Sequence, residues 1–307
     1  MNILILGQTG FIGSSLLKKI KETDNNVIAP LRHSVDNLDL RNYENLEKYI
    51  KDNDPQVIFN LASHGGSVHY YKANGASVFN DNVQMSLNLY RAISHVNKDI
   101  KIIQPFSNCS YPGSVSVQSE EDWLSGEVHD SVSSFGNSKR VLYYISKYYK
   151  DQFGINSVNL LFPNAYGPGD TDDLNKTHAL NGMVIRMIKA KRAGAKTFTV
   201  WGTGRPVREW IYVEDFVKAL ILGQELNDII YPINVGKESG CSILESANHI
   251  KRHIGFEGEI ILDTSYQDGD PIKILKGEKF KSLFPEFSWY DHQEGIQKTA
   301  EYYQEIL

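Results

Sequence analysis

The sequence predicts an α/β protein with a doubly wound parallel sheet, and three observations carry that prediction. Short β-branched runs alternate with longer amphipathic ones through the first half of the chain, the runs are continuously apolar, and a glycine-rich turn follows the first of them. A strand that is apolar at every position is buried on both faces. This requires helices on each side of the sheet, with crossover helices joining parallel neighbours.

Taken in order, strands are predicted over 2–6, 26–28, 57–61, 101–106 and 157–162, with amphipathic helices over 14–20, 83–96 and 138–153. After Asn164-Ala165-Tyr166-Gly167-Pro168-Gly169-Asp170 the chain turns polar and loop-rich until a helical run over 182–193. Strand-like segments over 210–213 and 233–236 either return to the sheet or join it to a second lobe. The predicted organisation is a first domain over 1–165, with return segments near 210–238, and a smaller C-terminal α/β lobe over 166–307.

Composition narrows the function classes. The 307 residues carry a formal net charge of −5 and no long basic run, which argues against a nucleic-acid surface and leaves bound anions to local pockets. The apolar N-terminal segment is too short for a signal sequence, and no stretch reaches membrane-spanning length, so the expected location is the cytoplasm. Cys109 and Cys241 stand far apart, with no disulfide framework and no zinc spacing, so no metal is predicted.

Gly7-Gln8-Thr9-Gly10-Phe11-Ile12-Gly13 follows the first strand directly and opens a helix. In that position glycines permit a tight turn and let backbone amides approach a pyrophosphate at the positive helix end. Gly7, Thr9, Gly10, Phe11, Ile12 and Gly13 are therefore the predicted cofactor contacts of a Rossmann-type domain. After the second strand comes Arg32, where an NAD-specific chain often carries an acid; a guanidinium pairs instead with a 2′-phosphate, which favours NADPH. Asp39 and Leu40 are assigned to the adenine edge.

The same turn, with Asn60-Leu61-Ala62-Ser63-His64-Gly65-Gly66, Asn82, Ser107-Asn108-Cys109-Ser110-Tyr111-Pro112, Asn164-Ala165-Tyr166-Gly167-Pro168, Trp201-Gly202-Thr203-Gly204 and Val207-Arg208-Glu209-Trp210, resembles the extended short-chain dehydrogenases. Among them the chain looks most like the GDP-4-keto-6-deoxymannose epimerase/reductases. The resemblance implies NADPH or NADP as cofactor, with Leu61 and Ala62 on it, and a nucleotide-diphosphate sugar as substrate. It also implies a homodimer built on the helices over 83–96 and 138–153, with which the run of Tyr143, Tyr144, Tyr148 and Tyr149 agrees.

In that family a Ser, a Tyr and a Lys act together: Lys lowers the phenol pKa and binds the nicotinamide ribose, Tyr passes a proton, and Ser holds the substrate oxygen. Ser107 and Lys139 match, but the Tyr position is Phe135, which has no proton to give. Three readings stand: an engineered Tyr-to-Phe trap, a different donor such as water, Tyr111 or Ser107, or a protein that binds without catalysis. The family's epimerising members use a Cys base and a His acid on carbons flanking the ketone, and Cys109 and His178 match those positions.

For the substrate, the resemblance assigns Arg208 to the diphosphate and Asn164 to a hydrogen bond with sugar or diphosphate; Arg186 is either a second phosphate cation or a solvated helix arginine, and Trp201 either stacks on base or sugar or is a core residue. Tyr70, Tyr71 and His64 fall in the loop after the third strand and are expected to shape the sugar pocket. Ile272 stands where a basic residue is common, so GDP is the preferred nucleotide and CDP, dTDP and UDP stay open. The predicted activity is NADPH-dependent C4 reduction of a 4-keto-6-deoxy sugar nucleotide, with C3/C5 epimerisation open. The rivals are a 4-epimerase or 4,6-dehydratase with retained NAD, and a non-catalytic nucleotide-sugar or dinucleotide binding protein.

Overall fold

The computed structural model describes residues 1–31, 38–266 and 268–307. The chain opens with β1 (Asn2–Leu6), α1 (Phe11–Ile20), β2 (Asn26–Ile28), α2 (Tyr43–Asn53), β3 (Val57–Asn60), α3 (Val68–Val96) and β4 (Lys101–Ser107). It continues through β5 (Val117–Gln118), α4 (Ser133–Phe153), β6 (Ser157–Phe162), β7 (Asn164–Tyr166) and α5 (Ala179–Arg192). Next come β8 (Thr197–Trp201), β9 (Val207–Arg208), β10 (Trp210–Tyr212), α6 (Val213–Leu222) and β11 (Ile229–Asn234). The last elements are β12 (Cys241–Ser242), α7 (Ile243–Ile254), β13 (Glu259–Asp263), β14 (Ile272–Leu275), α8 (Glu278–Leu283) and α9 (His292–Ile306).

Two compact units form. The first gathers Met1–Ser110, Val128–Leu161 and Val217–Ile233; the second gathers Tyr111–Glu127, Phe162–Phe216 and Asn234–Leu307. The first unit is organised on a six-stranded sheet in the order β11-β6-β4-β3-β1-β2, in which β1 pairs in parallel with β2 and β3, and β3 with β4. This is the doubly wound arrangement the apolar strands predict. Ile3, Leu4, Ile5, Ile58, Phe59, Ile102 and Ile103 are fully buried, as strands covered on both faces must be.

The strand order has a functional consequence. From β1 the chain first moves to one side, to β2, and then crosses back to β3 on the other. The switch point therefore lies between β1 and β3, where open α/β sheets hold ligands beyond the carboxyl ends of the strands. The register Leu6↔Asn60 brings the turn that begins at Gly7 beside Leu61 and Ala62.

The second unit is built on short ladders, β12-β9-β14-β5, β13 with β8, and β10 with β7. Glu209, between β9 and β10, is fully buried and accepts the Lys237 N–H at 2.5 Å and the Leu275 N–H at 2.7 Å. Burial still dominates over these bonds and pushes its carboxyl up to about 7. This acid of the Arg208-Glu209-Trp210 segment joins the loop after β11 to β14. No described helix is long and apolar enough to cross a membrane.

Candidate active site

The cradle is almost wholly backbone. Gly7 has φ +87°, and a Cβ there would stand 2.7 Å from Ala62 N. A Cβ on Gly13 would meet Gly7 O at 2.0 Å, so both positions admit only glycine. Gly10 caps α1 with no side chain bonded to the first-turn amides, while Thr9 and Gly10 are exposed. Uncapped amides at a positive helix end, beside a turn opened by glycines at 7 and 10, fit a pyrophosphate. Phe11 is buried in the core and Ile12 is half-buried, and Gln8 anchors the turn to the end of β2 by donating to Pro30 O.

Of the other cofactor expectations, Arg32 lies outside the described residues. The Asp39 carboxylate is held by Arg41 at 2.6 Å, and Arg41 also reaches Asp81, which raises the guanidinium pKa. Leu40 is a core residue whose carbonyl accepts from Asn88. The loop carrying Leu61 and Ala62 is held by buried Asn82, which accepts from Ser63 Oγ and His64 N and donates to His64 O and Val78 O.

The catalytic expectations on the first unit converge. The turn over 108–110 follows β4 directly, with Cys109 N donating to Ser107 Oγ at 3.2 Å. α4 packs against this turn at Gly136, where a Cβ would stand 2.3 Å from Cys109 O. That glycine lets the first two turns of α4, carrying Phe135 and Lys139 four residues apart on one face, approach Ser107 and Cys109. Lys139 donates to Pro105 O at 3.2 Å, and its ammonium sits 5.5 Å from the Phe135 ring centre. Burial lowers it to about 8.

Sequence reasoning missed what covers Phe135. Tyr71 stacks on it, with ring centres 5.3 Å apart and planes 12° apart. α3 is interrupted at Asn74 (φ −126°, ψ 21°), which sets its first turn, carrying Tyr70 and Tyr71, apart from the rest. Gly66 N donates to Tyr71 Oη at 3.2 Å. The Tyr70 hydroxyl meets His64 Nε2 at 2.7 Å, and His64 Nδ1 meets Asp81, so His64 braces the loop. The Gly-Gly dipeptide before two tyrosines was the available signal.

The second unit holds the remaining expectations. His178 precedes α5, nearly half exposed, with Nδ1 at 3.0 Å from the buried Asp170 carboxylate. Burial raises that carboxyl, but the His178 and Asn181 bonds outweigh it and hold the carboxyl low. Trp201 is 48% exposed, not a core residue; it stacks on Tyr266, and the Arg186 guanidinium lies 4.5 Å from its ring centre. Arg186 is thus packed against aromatics and not a solvated helix arginine. Arg208 donates to Val207 O and Asp270 O, and Asn164 donates to Glu209 O. Tyr111 Oη donates to Asn234 Oδ1 within this unit, which commits the proton that made it an alternative donor.

Cys241, His249 and His292 bring ligand atoms within 4.8 Å of one another. The two cysteines give no zinc spacing in the sequence, yet the fold gathers one of them with two imidazoles. The Lys237 ammonium acts on both Cys241 and His292 and opposes a dication there.

A sheet with its switch point at a glycine cradle, next to a serine and a buried lysine, defines a nicotinamide-dependent enzyme class. The model of the NAD dependent epimerase/dehydratase family matches residues 3–236, and the chain belongs to that family. Among its relatives, the GDP-L-fucose synthase of Azorhizobium caulinodans is 30% identical over 98% of this chain and 96% of its own. That of Dictyostelium discoideum is 26% identical over 98% and 94%. The crystal structure of a GDP-L-fucose synthetase from Naegleria fowleri bound to NADP superposes with a TM-score of 0.88 at 25% identity, covering 99% of this chain and 94% of that one.

Proposed function

We propose that this chain is an NADPH-dependent reductase acting at C4 of a nucleotide-linked 4-keto-6-deoxy sugar, with GDP the preferred nucleotide. The observation that carries the proposal is the meeting of Ser107, Cys109 and the buried Lys139 ammonium at the Gly136 contact, on the unit that bears the glycine cradle. The names of the relatives, GDP-sugar enzymes along nearly the whole chain, support the substrate class.

Gly7, Thr9, Gly10, Ile12 and Gly13 would hold the pyrophosphate, with Leu61 and Ala62 beside it, and Lys139 would hold the nicotinamide ribose. NADPH, when bound, supplies two electrons and a hydrogen to a carbonyl carbon. Ser107 Oγ accepts the Cys109 N–H, so its own hydrogen can be given to the carbonyl oxygen. The Lys139 cation stabilises negative charge developing at that oxygen in a site of low dielectric. Cys109 and His178 are proposed to exchange protons at C3 or C5, whose acidity comes from delocalisation onto the ketone. Arg208, Arg186, Trp201 and Asn164 are proposed to receive the nucleotide diphosphate and sugar. The exposed Phe79, Leu87, Tyr144 and Tyr148 of α3 and α4 support a homodimer through those helices.

The test is incubation of the chain with NADPH and a panel of 4-keto sugar nucleotides in heavy water. Cofactor oxidation reports reduction, and deuterium at C3 or C5 reports epimerisation. NAD found tightly bound in the purified protein, with no NADPH consumption by any substrate, would replace this reading with that of a 4-epimerase or dehydratase.

A further inference from the structure

We propose that Tyr71 donates the proton to the C4 oxygen, in place of the hydroxyl that residue 135 lacks; the inference rests on the reductase reading above. The ring of Tyr71 lies parallel to that of Phe135, against its face. A phenol is therefore present at the same wall of the site, carried by α3 instead of α4. Three features of the first unit hold it there: the interruption at Asn74, the stack itself, and the Gly66 N–H that donates to Tyr71 Oη.

The bonding of the hydroxyl favours donation. Tyr71 Oη accepts from Gly66, and among the described residues its own proton has no acceptor, whereas the neighbouring Tyr70 is engaged with His64 and Tyr111 with Asn234. Burial, and after it the Cys109 thiol, raises the Tyr71 pKa, so the proton stays on the oxygen at neutral pH until a stronger base forms beside it. An alkoxide emerging at C4 is such a base. The Lys139 ammonium, 5.5 Å from the centre of the Phe135 ring on which Tyr71 stacks, is the cation that favours the phenolate left behind.

The step balances. The C4 carbon gains a hydrogen and two electrons from NADPH, which is oxidised to NADP+, and the C4 oxygen gains the Tyr71 proton as the Tyr71 O–H bond breaks. The phenolate then recovers a proton from water.

Tyr71→Phe removes one oxygen and keeps the stack. With GDP-4-keto-6-deoxymannose and NADPH, the expected loss is about 100-fold in kcat, in the range of positioned acid catalysis, with NADPH affinity unchanged within twofold. Tyr71→Phe/Phe135→Tyr should recover at least about tenfold of that loss. A binding readout tests contact independently of turnover: the wild-type chain should prefer GDP-fucose over its 4-deoxy analogue by about tenfold, and Tyr71→Phe should bind the two alike. The proposal is overturned if Tyr71→Phe keeps kcat within threefold, if the second tyrosine restores nothing, or if the 4-deoxy preference survives. A chain that binds NADPH but reduces the substrate only after Phe135→Tyr would also overturn it while leaving the reductase reading intact. A chain that binds NADPH in neither form would remove both.

Discussion

The glycine cradle and the cluster around Phe135 belong to the same unit and are built in opposite ways. The cradle is a run of seven consecutive residues whose working parts are amides, so side chains matter there chiefly by being absent. The cluster draws one side chain each from the first turn of α3, the end of β4 and the first turn of α4, and holds them by a stack, a glycine contact and one buried cation. A backbone site of this kind tolerates no added atom, whereas a side-chain site can carry the same chemical group on a different element.

Four measurements test this contrast. The largest effect is expected at Gly13, where Gly13→Ala puts a methyl group 2.0 Å from Gly7 O. An overpacking cost of about 3 kcal/mol should lower NADPH affinity by on the order of 100-fold in a fluorescence titration. Undiminished binding would mean that the turn is not the cofactor's seat.

Next comes Lys139. Lys139→Met should lower kcat by about 100-fold. In the unsubstituted chain kcat should decline as pH rises through about 8, where this buried lysine loses its charge. A flat profile to pH 9 would remove the ammonium from the chemistry.

On the second unit, Glu209 has a folded pKa raised to about 7 from an ordinary 4.5. The native state then binds the extra proton between those values, so this group's contribution to stability is full below pH 4.5 and lost as pH rises to about 7. The expected change is on the order of 3 kcal/mol in chemical denaturation. Glu209→Gln should erase that slope whatever its absolute stability, and NADPH affinity should not follow it.

The smallest effect concerns the support of the loop after β3. Asn82→Ala leaves the His64 amide and carbonyl without their partner and should cost about 1.5 kcal/mol of stability. NADPH affinity should fall less than with Gly13→Ala. A larger fall in affinity than at Gly13 would reverse the contrast.

The strands over 2–6 and 157–162 are recognisable because a strand buried along its length leaves a continuous apolar signature, whereas the edge strand over 26–28 is exposed at Asn26 and only half-buried at Val27 and Ile28. Helix starts were less legible: α3 begins at Val68 and α4 at Ser133, well before the predicted 83 and 138, because their first turns carry site residues in place of an amphipathic pattern. α2, with only Leu46 and Ile50 buried, escaped notice. Trp201 and Arg186 could not be assigned as core or surface until their stack was seen, since an aromatic or arginine fits either setting.

Residue order alone settles the sheet, the cradle and the family, because these rest on local patterns: hydrophobic continuity, glycine spacing, and a Ser and a Lys in fixed relation to a strand and a helix. It also settles that residue 135 cannot give a proton. Which phenol lies against that residue is decided by packing in three dimensions, because the stack of Tyr71 on Phe135 depends on how α3 bends at Asn74 and how closely α4 approaches at Gly136. Neither the bend nor the approach is encoded in the spacing of residues along the chain.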